Sequence, residues 1–127
     1  IGNRIQTAMA NEAWALLNEG VASAEDIDRA VKGTFGFRLP TMGIFEKGDH
    51  SGLDIHHKVL KELLPEVDRS TEPPEVLSEL VEEGRYGLKT GKGVYDWSDE
   101  SRHEVEQERD NLLLAQLAVY REMLENS

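Results

Sequence analysis

Apolar residues along the first nineteen positions fall at Ile5, Ala8, Met9, Ala13, Leu16 and Leu17, the three- and four-residue spacing of a helix with one buried face. Gly20 stands where such a helix ends. Ser23 with Asp26 three residues on predicts the cap of a second helix, whose inner face is Ile27, Ala30 and Val31 and which closes at Gly33. Between Gly33 and Pro40 two aromatics and a glycine follow neither period, which predicts a packed connecting loop. Thr41 or Met42 then opens a short helix carrying Ile44, Phe45, Glu46 and Asp49, and Gly52 breaks it. A fourth helix carries Ile55, Val59, Leu60, Leu63 and Leu64, capped by Asp54 and stopped at Pro65. After the polar stretch from Asp68 to Glu72, Pro73 and Pro74 favour the first turn of a fifth, with Val76, Leu77, Leu80 and Val81 inward until Gly84. Ser98 caps a last helix running to about Asn126, with Val105, Leu112, Leu113, Leu117, Tyr120 and Leu124 along one side. No stretch alternates with period two for long enough to make a sheet, so the expected fold is all-α with about six helices.

One loop stands apart from this pattern. Residues 84–97 hold four of the eleven glycines and three of the eight aromatics, so a flexible backbone is pinned by large groups that gain from burial. Its Lys-Thr-Gly-Lys-Gly run invites a phosphate-loop reading. That loop needs a glycine where Tyr86 stands and a Ser or Thr where Gly93 stands, and no apolar strand leads in. The better reading is a glycine-shaped turn docked by Tyr95 and Trp97 under two solvated lysines.

The 127 residues suffice for one helical domain with a modest core, residues 1–127, and fall short of a complete dinucleotide-dependent enzyme. No apolar run reaches the ~20 residues of a membrane span, and no export signal is evident, so we expect a cytoplasmic chain without membrane partners. The first residue is Ile1, already within a helical pattern, which suggests a piece of a longer protein. A formal net charge of -11 would repel phosphate backbones, so nucleic acid is a poor partner. Acid spread along the whole chain suits a salt-rich cytoplasm, where screening relieves self-repulsion, and we expect a halophilic source.

Candidate chemistry is sparse. His50, Asp54 and His57 are spaced as metal ligands could be, but Gly52 interrupts the helix they would share, and neither Cys nor a His-Glu-x-x-His motif supports a metal. No Gly-x-Ser-x-Gly elbow supports an acyl-enzyme. Glu82 with Glu83, and Glu66 with Asp68, lie in stretches that read as exposed, where no acid-base role is expected. Without a Gly-x-Gly-x-x-Gly after a strand, the chain has no dinucleotide site and binds no cofactor of its own.

Four motifs nevertheless occur together. Gly2-Asn3-Arg4-Ile5 opens the first helix, Glu25-Asp26-Ile27-Asp28 follows Ala22-Ser23, and Gly43-x-Phe45-Glu46-x-x-Asp49-x-x-Gly52-Leu53-Asp54 comes next. The last is Glu82-Glu83-Gly84-Arg85 leading into Gly87-x-Lys89-Thr90-Gly91-x-Gly93-x-Tyr95-Asp96-Trp97. In this order the chain resembles the C-terminal domain of the L-3-hydroxyacyl-CoA dehydrogenases. Ile44 departs from the proline usual in that family, and residues 98–127 form a helical extension beyond the motifs.

The resemblance implies a fold of the 6-phosphogluconate-dehydrogenase C-terminal type and a role in fatty acid β-oxidation, closing an acyl-CoA cleft and forming a homodimer. NAD, with a catalytic His-Glu pair, would reside in a Rossmann domain absent from this chain, which alone would be inactive. It further implies that Asn3 reaches toward the reacting oxygen and the catalytic His. A carboxamide suits that task because it both donates and accepts, although the residue type alone equally suits bonding to the helix backbone. Leu39, Met42 and Phe45 are candidates for the acyl wall or for plain core. Glu46 and Asp49 would orient neighbouring helices. Two rivals remain open: a related dehydrogenase acting on another hydroxy acid, and a non-catalytic helical dimerisation module. Trp14, Leu114 and Val119 fall off the main apolar stripes and point to self-association.

Overall fold

The computed structural model describes residues 1–126, which hold seven α-helices and two single 3-10 turns. The helices are α1 (Gly2–Asn18), α2 (Ala24–Gly33), α3 (Phe35–Arg38), α4 (Ile44–Ser51), α5 (Leu53–Leu63), α6 (Glu75–Glu82) and α7 (Arg102–Glu125). Among the described residues there is no strand, only single bridges pairing Gly87 with Lys92 and Lys92 with Asp96. The architecture is therefore all-α, as the apolar spacing predicts. The chain divides into two compact units, Ile1–Leu77 and the part from Ser78 onward.

In the first unit α1 ends as its sequence dictates. Gly20 takes φ +73°, and the amides of Gly20 and Val21 donate back to the carbonyls of Leu17 and Leu16, a left-handed stop that turns the chain into α2. Ser23 then accepts from the Asp26 amide at 3.1 Å. The predicted loop after Gly33 instead contains the single-turn helix α3. Gly36 permits it, since a Cβ there would stand 2.5 Å from the Val31 carbonyl oxygen. Helix α4 begins at Ile44 rather than at Thr41 or Met42, where the Glu46 carboxylate accepts from the Gly43 amide at 3.1 Å. Asp54 is not the cap of α5; Gly52, at φ +98°, holds that position and Asp54 lies in the first turn. Pro65 sits inside a 3-10 turn, Leu64–Glu66, that prolongs α5.

A polar clamp joins α1 to the segment before α6. The Asn11 amide donates to the Asp68 carboxylate at 2.9 Å, the Glu12 carboxylate accepts from the Asp68 amide at 2.8 Å, and Asn18 accepts from the Val76 amide at 3.0 Å. Pro73 and Pro74 precede α6 rather than forming its first turn, and Asn18 of α1 satisfies one of the amides that α6 leaves open.

In the second unit the glycine loop is organised by one hydroxyl. Thr90 Oγ1 accepts from the Tyr86 amide at 3.0 Å and donates to the Lys92 carbonyl at 2.9 Å, with the Gly87 carbonyl at 3.2 Å. Gly87 and Gly91 take φ of +106° and +80°, and the Gly87 and Gly93 backbones approach so closely that a Cβ on Gly93 would lie 2.6 Å from Gly87 Cα. Tyr95 and Trp97 meet edge to face at 6.1 Å. Ser101, not Ser98, caps the last helix, accepting from the Glu104 amide at 3.4 Å. Ser98 is taken by Asp96, to which its amide and hydroxyl both donate.

Burial departs most from expectation. Among the described residues only Ala15, Gly48 and Gly93 are buried, whereas Ile5, Met9, Val59, Leu60 and Leu63 of the predicted inner faces remain exposed. Neighbouring helices of the first unit pack together, α1 with α2, α2 with α3 and α4 with α5, and large apolar side chains of α1 and α5 still stay in solvent. Trp14, which its position places off the stripe, is half-buried.

Gly93→Ala should destabilise the protein by more than ~1 kcal/mol, because the methyl meets backbone that cannot swing aside, while Lys92→Ala should leave the melting temperature unchanged. Hydrogen bonds from Asn11 and from the Ser70 amide and hydroxyl hold the Asp68 carboxyl below its ordinary value. A lowered folded value stabilises the fold above the unfolded pKa of about 4, and that contribution fades as pH falls below it. Asp68→Asn should therefore lower the melting temperature at pH 7, with the gap to wild type closing as pH drops through the carboxylate range.

Candidate functional site

Asn3 lies in the first turn of α1. Asn3 is exposed, and its carboxamide makes no hydrogen bond among the described residues. The alternative in which it bonds its own backbone finds no such bond here. Both halves of the amide are available, one to donate and one to accept.

Leu39, Met42 and Phe45 lie along the stretch that leaves α3 and enters α4. Leu39 follows the last residue of α3, Met42 is half-buried in the turn, and Phe45 is the second residue of α4. Phe45 is 89% exposed, which removes the core alternative for that side chain. The Glu46 capping bond to Gly43 fixes the turn from which Phe45 projects. Glu46 thus acts within its own helix rather than orienting a neighbour.

A cleft of about 390 Å³ opens elsewhere in the first unit, lined by Asn11, Ala15, Asn18, Asp68, Ser70 and Pro74 among others. Its wall is the polar clamp, with amides and carboxylates already bonded to one another. Asn3, Leu39, Met42 and Phe45 do not line it. Sequence reading missed this clamp. The available signal was Asn11 and Asn18 seven residues apart with Ala15 between them, which puts the three on one face of the helix.

His50 lies in α4 while Asp54 and His57 lie in α5, and His56 packs over Gly48, whose added Cβ would meet the imidazole at 3.7 Å. No group of three metal-ligating side chains gathers among the described residues. In the glycine loop, Lys89 Nζ lies 5.4 Å from the Tyr86 ring centre, a cation over an aromatic face. The Ser98 hydroxyl and amide, with Lys92 and Arg85 nearby, hold the Asp96 carboxyl below its usual range. Its bonds to Ser98 make it a turn-forming group. No helix among the described residues is long and apolar enough to cross a membrane.

The family model described as 3-hydroxyacyl-CoA dehydrogenase, C-terminal domain, matches residues 1–97. A 3-hydroxyadipyl-CoA dehydrogenase of Escherichia coli K12 is 39% identical over 102 residues, 79% of this chain and 21% of the relative. A 3-hydroxybutyryl-CoA dehydrogenase of Clostridioides difficile is 37% identical, over 76% of this chain and 34% of its own. The 5-formyl-3-hydroxy-2-methylpyridine 4-carboxylate 5-dehydrogenase of Mesorhizobium japonicum is 27% identical over 91% of this chain and 37% of the relative. A crystal structure of an enzyme of that name, titled an NAD+ dependent dismutase, matches with a TM-score of 0.91 at 26% identity, over 95% of this chain and 39% of that one. The chain thus spans between about a fifth and two-fifths of these relatives. With the matched region running from α1 through the closing glycine loop, the chain belongs to the 3-hydroxyacyl-CoA dehydrogenase C-terminal domain family.

Proposed function

We propose that this chain forms the helical side of the substrate cleft, and the dimer contact, of an NAD-dependent 3-hydroxyacyl-CoA dehydrogenase. The observation that carries the reading is the family match over residues 1–97, which contains all four ordered motifs. The reaction interconverts 3-hydroxyacyl-CoA and 3-oxoacyl-CoA: a hydride passes between the acyl C3 and the nicotinamide, and a proton between the C3 oxygen and a base. NAD, when bound, would supply the hydride acceptor or donor, and these residues, whose sequence has no Gly-x-Gly-x-x-Gly, would not hold it. Alone, the chain is inactive.

Within this reading Asn3 donates from its amide to the C3 oxygen and accepts from the base, which its free carboxamide and exposed position allow. Phe45, Met42 and Leu39 form an apolar wall for the acyl chain. The exposed apolar side chains of α4 and α5, including Ile44, Leu53, Ile55 and Leu63, supply a face for a second copy. We place the protein in the cytoplasm, in fatty acid metabolism.

A second reading is favoured by one observation. The Mesorhizobium relative aligns over 115 residues and so reaches beyond the family match, and it is named for a pyridine carboxylate rather than an acyl-CoA. A related dehydrogenase acting on such a hydroxy or formyl acid is the alternative.

Both readings are separated by assaying the full-length protein. NADH oxidation should proceed with acetoacetyl-CoA and not with a formylpyridine carboxylate; the reverse preference would replace the first reading by the second. In the same assay Asn3→Ala should lower kcat by roughly tenfold to a thousandfold with an unchanged melting temperature, as for loss of one preorganised donor. Normal turnover would remove Asn3 from the mechanism. Sedimentation should show a dimer at tens of micromolar protein in molar KCl that weakens as salt is withdrawn, since the acid-rich surfaces repel until screened.

A further inference from the structure

The stretch that runs through α3 into α4 carries one charge. From Phe35 to Phe45 the sequence is Phe-Gly-Phe-Arg-Leu-Pro-Thr-Met-Gly-Ile-Phe, in which Arg38 is the sole charged residue, although charged residues make up 31% of the chain. Phe35, Phe37, Leu39, Ile44 and Phe45 are all exposed, so this cation stands on an apolar stretch rather than among carboxylates. Its backbone is fixed. The Arg38 carbonyl accepts from the Thr41 amide at 3.0 Å and from the Met42 amide at 2.9 Å, which ties Arg38 and Met42 into one turn. Its side chain is exposed and has no ion-pair or hydrogen-bond partner among the described residues. The first carboxylate after it in the chain, Glu46, is committed to the Gly43 amide.

An apolar chain laid over that surface would strip water from the guanidinium without replacing the lost hydrogen bonds, which costs free energy. A carboxylate on the same chain removes that cost, because it meets the planar guanidinium with two parallel hydrogen bonds. On a chain of net charge -11 an anion is held best where a local cation offsets the field. We propose that Arg38 selects for a substrate that carries a free carboxylate and pairs with it beside Leu39, Met42 and Phe45. The inference rests on the reading above that these three residues face the substrate. It narrows the substrate class to 3-hydroxy and 3-oxo compounds with an anionic group, either at the far end of the acyl chain of a CoA ester or as a free acid in place of the thioester. Both sources present the same group to Arg38.

The test measures reduction by NADH in the full-length protein. Three probes serve: 3-oxoadipyl-CoA, whose acyl chain ends in a carboxylate; 3-oxohexanoyl-CoA, equally long and neutral at that end; and acetoacetate, a free acid. The kcat/KM for 3-oxoadipyl-CoA should exceed that for 3-oxohexanoyl-CoA by about tenfold or more, and Arg38→Met should bring the ratio toward one, chiefly through KM. The melting temperature should hold, since an exposed side chain without a partner contributes little to the fold. Arg38→Lys keeps the charge but loses the planar fork, and should restore part of the preference. Lys61→Met, which takes the same charge from α5, should leave the ratio as in the wild type. If acetoacetate is reduced in place of both esters and Arg38→Met raises its KM, the inference holds with the free acid as the source. Equal kcat/KM for the two esters, or a preference that Arg38→Met leaves intact, would overturn the role of Arg38 while leaving the dehydrogenase reading in place. Reduction of none of the three would overturn the inference, and the reading beneath it would fall as well if acetoacetyl-CoA were also refused.

Discussion

The first unit depends on a hydrogen-bonded link between α1 and residues 68–76. Asn11, Glu12 and Asn18 sit along one edge of α1, and each holds a different part of the segment that leads into α6. Asp68 is central because its carboxylate receives Asn11 and Ser70 while its own amide is held by Glu12. These bonds join parts of the chain 56 to 58 residues apart, so they set the position at which α6 starts. Prolines at 73 and 74 support that position by donating no amide and by restricting the backbone before the helix.

In each unit, taken by itself, the apolar surface is only partly covered. Helices meet in pairs, and the stripes of α4, α5 and α7 keep large side chains in solvent. A chain of net charge -11 can carry such stripes and stay dispersed, because like charge opposes chance contact and leaves association to surfaces with matching shape.

Local rigidity in the second unit has a different origin. The Thr90 hydroxyl, the Asp96 turn and close backbone contact at Gly87 and Gly93 hold the glycine loop in one shape. Conformations open only to glycine, together with short polar bonds, fix its backbone. The lysines on its surface need no ligand to account for them. Lys89 lies over the Tyr86 ring, and Lys92 lends its charge to Asp96.

The sequence alone was enough for the long helices, for the stops at Gly20 and Gly52, for the Ser23 cap and, through four ordered motifs, for the family. Each of these rests on contacts within a few residues or on a pattern of residue types, and both survive in one dimension. For the proposed site, the resemblance names Asn3 and Phe45, while their exposure is a matter of the folded chain. What tertiary structure decided was of another kind. Helix α3 forms because Gly36 can lie against Val31, Ser101 replaces Ser98 as the last cap because Asp96 takes Ser98, and α6 starts where Asn18 reaches it. Burial was decided there too, since an apolar stripe shows that a face favours cover but not which neighbour supplies it. Such choices turn on competition between local and distant partners for the same group, and that competition is settled only when the chain is folded.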